Sequence, residues 1–134
     1  LRMLPSPLLV LLDAISTYKV LARGTILQQQ GQPLAGLHIL LHGEAGLFES
    51  RDGPPRLVRC WTERSSFPVI GADAYISSSR PTALQTAATH ARCSQVMLVP
   101  LRELRRHTEL AQALRYLFDR ELQIPQGLAA RLAP

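Results

Sequence analysis

The chain has 134 residues, 46% of them hydrophobic, and carries a formal charge of +5. That length and composition suit one domain with a single core, held without metals or disulfides. No apolar run approaches the roughly 20 residues that span a bilayer, and the basic excess is spread along the chain, which argues against a membrane span or a dedicated nucleic-acid face.

Residues 1–60 carry six basic and four acidic groups, residues 61–100 three and two, and residues 101–134 six and four. The one tight cluster, Arg102, Arg105 and Arg106, reads as a solvated helix face. The two cysteines, Cys60 and Cys93, have no metal-ligand partner at short spacing. They read as packed or partly buried thiols of a reduced, cytoplasmic protein, with a single disulfide between them as the alternative. The apolar cluster Leu8–Leu12 is short and lacks a cleavage-site pattern, so it is not a signal peptide. A chain that opens on Leu1 rather than methionine reads as a piece of a longer one.

In chain order, residues 7–16 predict a short helix. Leu8, Leu11, Leu12 and Ile15 fall at helical spacing, and Pro7 suits a first turn. After Tyr18, short apolar stretches recur every eight to twelve residues between turn signals. They are 19–21, 25–28, 37–41, 45–48, 57–61, 68–70, 82–88 and 93–99. Such regular short strands predict a β-sandwich or barrel. Arg51-Asp-Gly-Pro-Pro55 is a strong turn that closes a hairpin. From Leu101 the period becomes helical again, with Leu101, Leu104 and His107 on one stripe and Leu110, Leu114, Leu117 and Phe118 on a second. Thr108-Glu109 marks a fresh start within that region, and Pro125 interrupts it. Gln126–Pro134 adds at most a further short turn. Neither a repeat nor a low-complexity linker divides the chain.

A short helix, about eight strands and paired C-terminal helices form the order found in cyclic-nucleotide-binding-like domains. The residues agree with it. Gly24-Thr-Ile26 with Gln30-Gly31 resembles the opening motif of that family. Leu37-His-Ile-Leu-Leu-His-Gly43 resembles its L-x-I-x-x-G strand, Asp52-Gly53 its hairpin turn, and Ile70-Gly71 the start of its phosphate-binding cassette. The likeness covers roughly residues 8–123.

In nucleotide-binding members a glutamate just after the cassette glycine takes the ribose hydroxyl, and an arginine further on pairs with the cyclic phosphate. A buried phosphate needs such a cation together with backbone N–H groups. Here Ala72 holds the glutamate position, and Pro81 or Thr82 holds the arginine position. Arg80 is one residue away, and a one-residue shift in an extended segment turns a side chain to the opposite face. Gly71-Ala-Asp-Ala74 followed by Pro81-Thr82 and Gln85 looks like the fumarate-and-nitrate-reductase-regulator branch of the CRP/FNR superfamily. The resemblance implies a degenerate cassette formed by Gly71, Ala72, Asp73, Arg80, Thr82 and Ala83, poorly suited to cyclic AMP and open to a small effector of another kind. In that reading Gly71 permits close approach, and Asp73 and Arg80 set the polarity of the pocket mouth. The plain alternative is a loop and strand with no ligand.

In the same superfamily a long helix after the barrel pairs with its twin and leads into a helix-turn-helix domain. The resemblance therefore implies a homodimer, with Leu110, Leu114, Leu117 and Phe118 as the apolar seam. The alternative places that stripe on the chain's own barrel. DNA would be reached only through a domain absent from these residues, since residues after 125 are too few to form one.

Other chemistries find little support. His38, His42 and Glu44 share parity, so an uninterrupted strand would put them on one face, as in a small metal-dependent cupin-like enzyme. Gly43 stands between them as a strand end. Ser77-Ser-Ser79 lacks a nucleophile elbow, and the chain has neither a P-loop nor a dinucleotide motif. The expectation is a mainly β, jelly-roll barrel (residues 19–99) with a short N-terminal helix and C-terminal helices (residues 101–124), forming one domain over residues 1–134. Its expected role is that of a cytoplasmic sensor domain of a bacterial CRP/FNR-type transcription regulator, with no cofactor, metal or enzymatic activity. A ligand-free interaction or dimerisation module and the cupin-like enzyme are the alternatives.

Overall fold

The computed structural model describes residues 4–65 and 67–132, with side chains described as far as Leu122. Helix α1 (Ser6–Ile15) opens the chain, followed by strands β1 (Thr17–Ala22), β2 (Ile26–Gln28), β3 (Gly36–His42), β4 (Glu44–Glu49), β5 (Arg56–Thr62) and β6 (Val69–Ile70). A short helix α2 (Ala72–Ser77) follows, then β7 (Thr86–Thr89), β8 (Cys93–Pro100), α3 (Leu101–Arg106) and α4 (Thr108–Leu132). The strands form two four-stranded antiparallel sheets, in the orders β1-β8-β3-β6 and β2-β7-β4-β5. This is the mainly β jelly-roll architecture that the sequence predicts.

Alternation along the strands divides the core in two. Leu37 and Ile39 of β3 lie on one face with Val69, Met97 and Val99, and this face meets the four helices. Leu40, Ile70 and Val96 lie on the other face and meet Ala45, Leu47, Trp61 and Ala87 of the second sheet. Adjacent residues such as Val69 and Ile70 serve opposite cores because strand side chains alternate. In the second sheet, Arg56–Cys60 of β5 are all exposed.

Four sequence expectations are corrected here. Cys60 and Cys93 are free and exposed rather than packed, because β5 and β8 lie in different sheets and turn both thiols outward. The segment 82–88 is a strand only from Thr86; its first part is a single bridge between Thr82 and Pro33. The last helix runs through Pro125 to Leu132. Proline's fixed φ is itself helical, so the residue costs a hydrogen bond without forcing an end. Finally, Leu110, Leu114, Leu117 and Phe118 are 0, 1, 6 and 0% exposed within the protomer. The stripe packs into the chain's own core, leaving Gln112, Arg115, Tyr116, Asp119 and Arg120 on the outer face of α4. This is the arrangement of the alternative reading, in which the stripe serves the chain's own barrel, and it leaves the four little surface to offer a twin.

Candidate functional site

The cassette begins where β6 ends. Gly71 adopts φ +97°, a left-handed conformation that side chains disfavour. A Cβ there would lie 3.2 Å from both Gln28 Oε1 and Leu34 Cδ1. The glycine thus meets a backbone and a packing demand at once, and it turns the chain into α2. Asp73 sits in the first turn of α2, where a carboxylate complements the helix dipole. The Ser77 hydroxyl donates to the Asp73 carbonyl at 2.6 Å near the other end.

Helix α2 is bound to α4. Ala72, Ala74 and Tyr75 are buried in the core that α4 shares. The Tyr75 ring meets Phe118 edge-on at 6.0 Å, and Phe67 meets the same phenylalanine at 5.4 Å. The Arg115 guanidinium lies 4.5 Å from the centre of the Tyr75 ring. Burial pushes the Tyr75 hydroxyl above its ordinary pKa, against the opposing pull of Arg115. A displacement of the cassette helix would therefore be felt directly by α4.

After α2 the chain runs back along the loop at residues 31–34. Leu34 N–H donates to the Pro81 carbonyl at 2.9 Å, Ala83 N–H to Gln32 O at 2.9 Å, and Gly31 N–H to Ala83 O at 2.8 Å. These bonds set the register. Pro81 and Ala83 are buried while Thr82, between them, is exposed.

That register separates the six cassette residues expected to share a pocket. Gly71, Ala72 and Asp73 line a cleft of ≈ 290 Å³ within the end of the barrel, together with Arg59, Trp61 and Glu121. Arg80 and Thr82 line a different hollow of ≈ 490 Å³ between the cassette loop and α3. Ala83 is 3% exposed, inside the core. Arg80 therefore does not share the cleft mouth with Asp73, and Thr82 does not face the barrel interior. The extended backbone from Arg80 to Ala83 is the cause, since neighbouring residues must take opposite sides.

Other residues of the two hollows were not assigned to a site from the sequence. In the cleft, the Arg59 guanidinium stacks 4.9 Å from the centre of the Trp61 ring. Gln28 Nε2 donates to Gln85 O at 2.9 Å, while Gln28 Oε1 and Trp61 Nε1 are buried without a protein partner. Arg102 and Arg105 of α3 join Arg80 in the outer hollow.

The metal-site alternative is not supported. His38 is buried at 7% exposure, whereas the His42 side chain is 63% exposed and its Nδ1 lies 3.4 Å from Glu63. The β3–β8 register slips between Leu40 and His42, which breaks the shared parity. Among the described residues no group of three His, Cys, Asp or Glu is placed to hold a metal. Burial, and secondarily the Lys19 charge, lower the His38 pKa to about 4. No helix among the described residues is long and apolar enough to cross a membrane.

Neither a protein-family model nor a curated protein matches the chain by sequence. Solved structures do match by fold. The N-terminal domain of a transcriptional regulator from Streptomyces coelicolor superposes with a TM-score of 0.71 at 20% identity, covering 95% of this chain and 88% of that one. The sensor domain of the transcriptional regulator DNR from Pseudomonas aeruginosa gives 0.66 at 23%, covering 96% and 82%. The regulatory domain of Toxoplasma gondii PKA, crystallised with cAMP, gives 0.66 at 17%, covering 84% of this chain. The chain spans 40% of the length of that last relative. At these identities the likeness is one of fold: this chain has the fold of cyclic-nucleotide-binding and regulator sensor domains.

Proposed function

We propose that the chain is the sensor domain of a bacterial CRP/FNR-type transcription regulator whose barrel cleft no longer holds a cyclic nucleotide. The observation that carries this reading is the charge of the cleft. Its lining includes one cation, Arg59, and two carboxylates, Asp73 and Glu121. A cyclic phosphate entering there would meet more negative than positive charge. Ala72, at 2% exposure, supplies no carboxylate for a ribose hydroxyl, and Thr82 turns away from the cleft. Moving a phosphate charge out of water without a matched cation is strongly unfavourable.

The coupling of α2 to α4 supports the sensory role. An input that favours one arrangement of the cassette over another would shift α4 through Tyr75, Phe118 and Arg115. DNA contact would belong to a separate domain of the parent regulator. Self-association as a homodimer is part of this proposal and would use a face other than the buried stripe; light scattering at low micromolar concentration reads it out. The direct test of the cleft is calorimetry with cyclic AMP. No heat of binding is expected at micromolar ligand, and a micromolar Kd would refute the reading.

A further inference from the structure

We infer that the hollow between the cassette loop and α3 is a binding site for a small, multiply charged phosphate compound. The ≈ 490 Å³ hollow is lined by three arginines, Arg80, Arg102 and Arg105, and by no carboxylate. Four arginines outside the hollow do meet partners: Arg51 meets Glu49 at 3.2 Å, Arg106 meets Glu103 at 3.6 Å, and Arg59 and Arg115 lie over aromatic rings. Among the three, Arg105 Nη2 donates to the backbone carbonyl of Ser79 at 3.4 Å, and no carboxylate is described beside Arg80 or Arg102. An anion seated in a concavity lined by three cations and no carboxylate is attracted by all of them.

The backbones that carry these arginines are anchored. Pro81 and Ala83 are tied to residues 31–34 by hydrogen bonds of 2.8–2.9 Å. The N–H of Leu101 donates to Ala35 O at 2.9 Å, and Leu101 and Leu104 are 6 and 1% exposed. Binding would order three side chains and no loop, which keeps its entropy cost low. Guanidinium forks pair bidentately with phosphate oxygens, and three forks suit a chain of phosphates better than a lone carboxylate. Leu34, Pro81 and Leu101 supply an apolar wall beside them. A compound held there would bridge the cassette loop, through Arg80, to α3, through Arg102 and Arg105. The binding site stands independently of the sensory reading; only its regulatory consequence rests on that reading.

Calorimetry of the 134-residue chain at low ionic strength, with tripolyphosphate as probe, tests the site. Arg102→Gln and Arg105→Gln are each expected to weaken binding about tenfold, and Arg80→Gln similarly. All three side chains are exposed, so thermal melts of the variants should match the parent. Arg92→Gln, at the far hollow beside His42, should leave the affinity within about twofold. The assignment fails if tripolyphosphate does not bind at millimolar concentration, or if Arg92→Gln weakens it as much as Arg102→Gln. Citrate binding as tightly as tripolyphosphate would overturn the choice of phosphate. Cyclic AMP binding unaffected by the three arginine variants would sink the proposed function and leave this site standing.

Discussion

Two hollows flank the same cassette and differ in sign. The cleft in the barrel holds Arg59 against Asp73 and Glu121, while the groove outside it holds Arg80, Arg102 and Arg105 against no carboxylate. Fewer than ten residues separate Asp73 from Arg80, yet one belongs to the inside and the other to the outside. The contrast teaches that the shape of this segment and the placement of its charges have separate causes. Shape is held by Gly71, by the packing of α2 and by the bonds from residues 31–34, none of which needs a charged side chain. Charge depends on register alone, and in an extended segment a single residue reverses it.

The largest expected effect separates the anchored inside from the solvated outside. Phe118 is fully buried and is the ring on which both Tyr75 and Phe67 rest. Replacing it with alanine removes those contacts and opens a cavity beneath the cassette helix. Phe118→Ala should cost about 3–5 kcal/mol, read by urea unfolding, whereas Arg102→Gln should stay within about 0.5 kcal/mol of the parent. A Phe118→Ala protein that merely loses self-association while unfolding at the parental urea concentration would erase the distinction.

Acid should also act on one side only. His38 pairs in register with Ile70, the residue just before Gly71, and its pKa is lowered to about 4 by burial. Against an unfolded value of 6.5, the unfolded chain takes up the proton first as pH falls. Stability from this group is therefore complete above pH 6.5 and is lost progressively down to about 4. The loss amounts to about 3 kcal/mol. His38→Leu should flatten the unfolding midpoint over that window. His38 lies on the barrel sheet and not in the outer groove, so the pH profile of tripolyphosphate binding should be the same in His38→Leu as in the parent while both remain folded. A wild-type midpoint that is level from pH 6.5 to 4 would mean that His38 is not buried as a neutral ring.

The fold was readable because its signals are local and repeated. Strand alternation and turn residues place all the strands, and Thr108 marks the break between α3 and α4. Helix α2 escaped because six residues are too few to establish a period, and its N-cap, Gly71, offers no side chain. The stripe from Leu110 to Phe118 was legible as apolar, yet periodicity alone does not say whether a helix face meets its own barrel or a twin. For the site, the missing glutamate at Ala72 could be read directly. The division of the cassette could not, because it depends on the bonds joining Pro81 and Ala83 to Gln32 and Leu34, which are distant in sequence. Arg102 and Arg105 looked like an ordinary solvated helix face for the same reason: nothing in their own neighbourhood announces Arg80.

The smallest effect is the most discriminating one. Thr82→Arg places a guanidinium at one of the two positions where the cyclic-phosphate arginine was sought. A barrel-facing register would give the cleft back its phosphate grip, and cyclic AMP affinity would rise. The observed register gives the opposite expectation. Thr82 is exposed, bridges Pro33 and lines the outer groove, so the new side chain becomes a fourth cation there. An added exposed ion pair contributes about 0.5–1 kcal/mol, which corresponds to a two- to fivefold gain in tripolyphosphate affinity with no cyclic AMP binding. Calorimetry with both ligands on the one variant decides between the two registers. A gain for cyclic AMP would place residue 82 on the inner side of the loop, and the charge contrast between the two hollows would no longer follow from the chain's register.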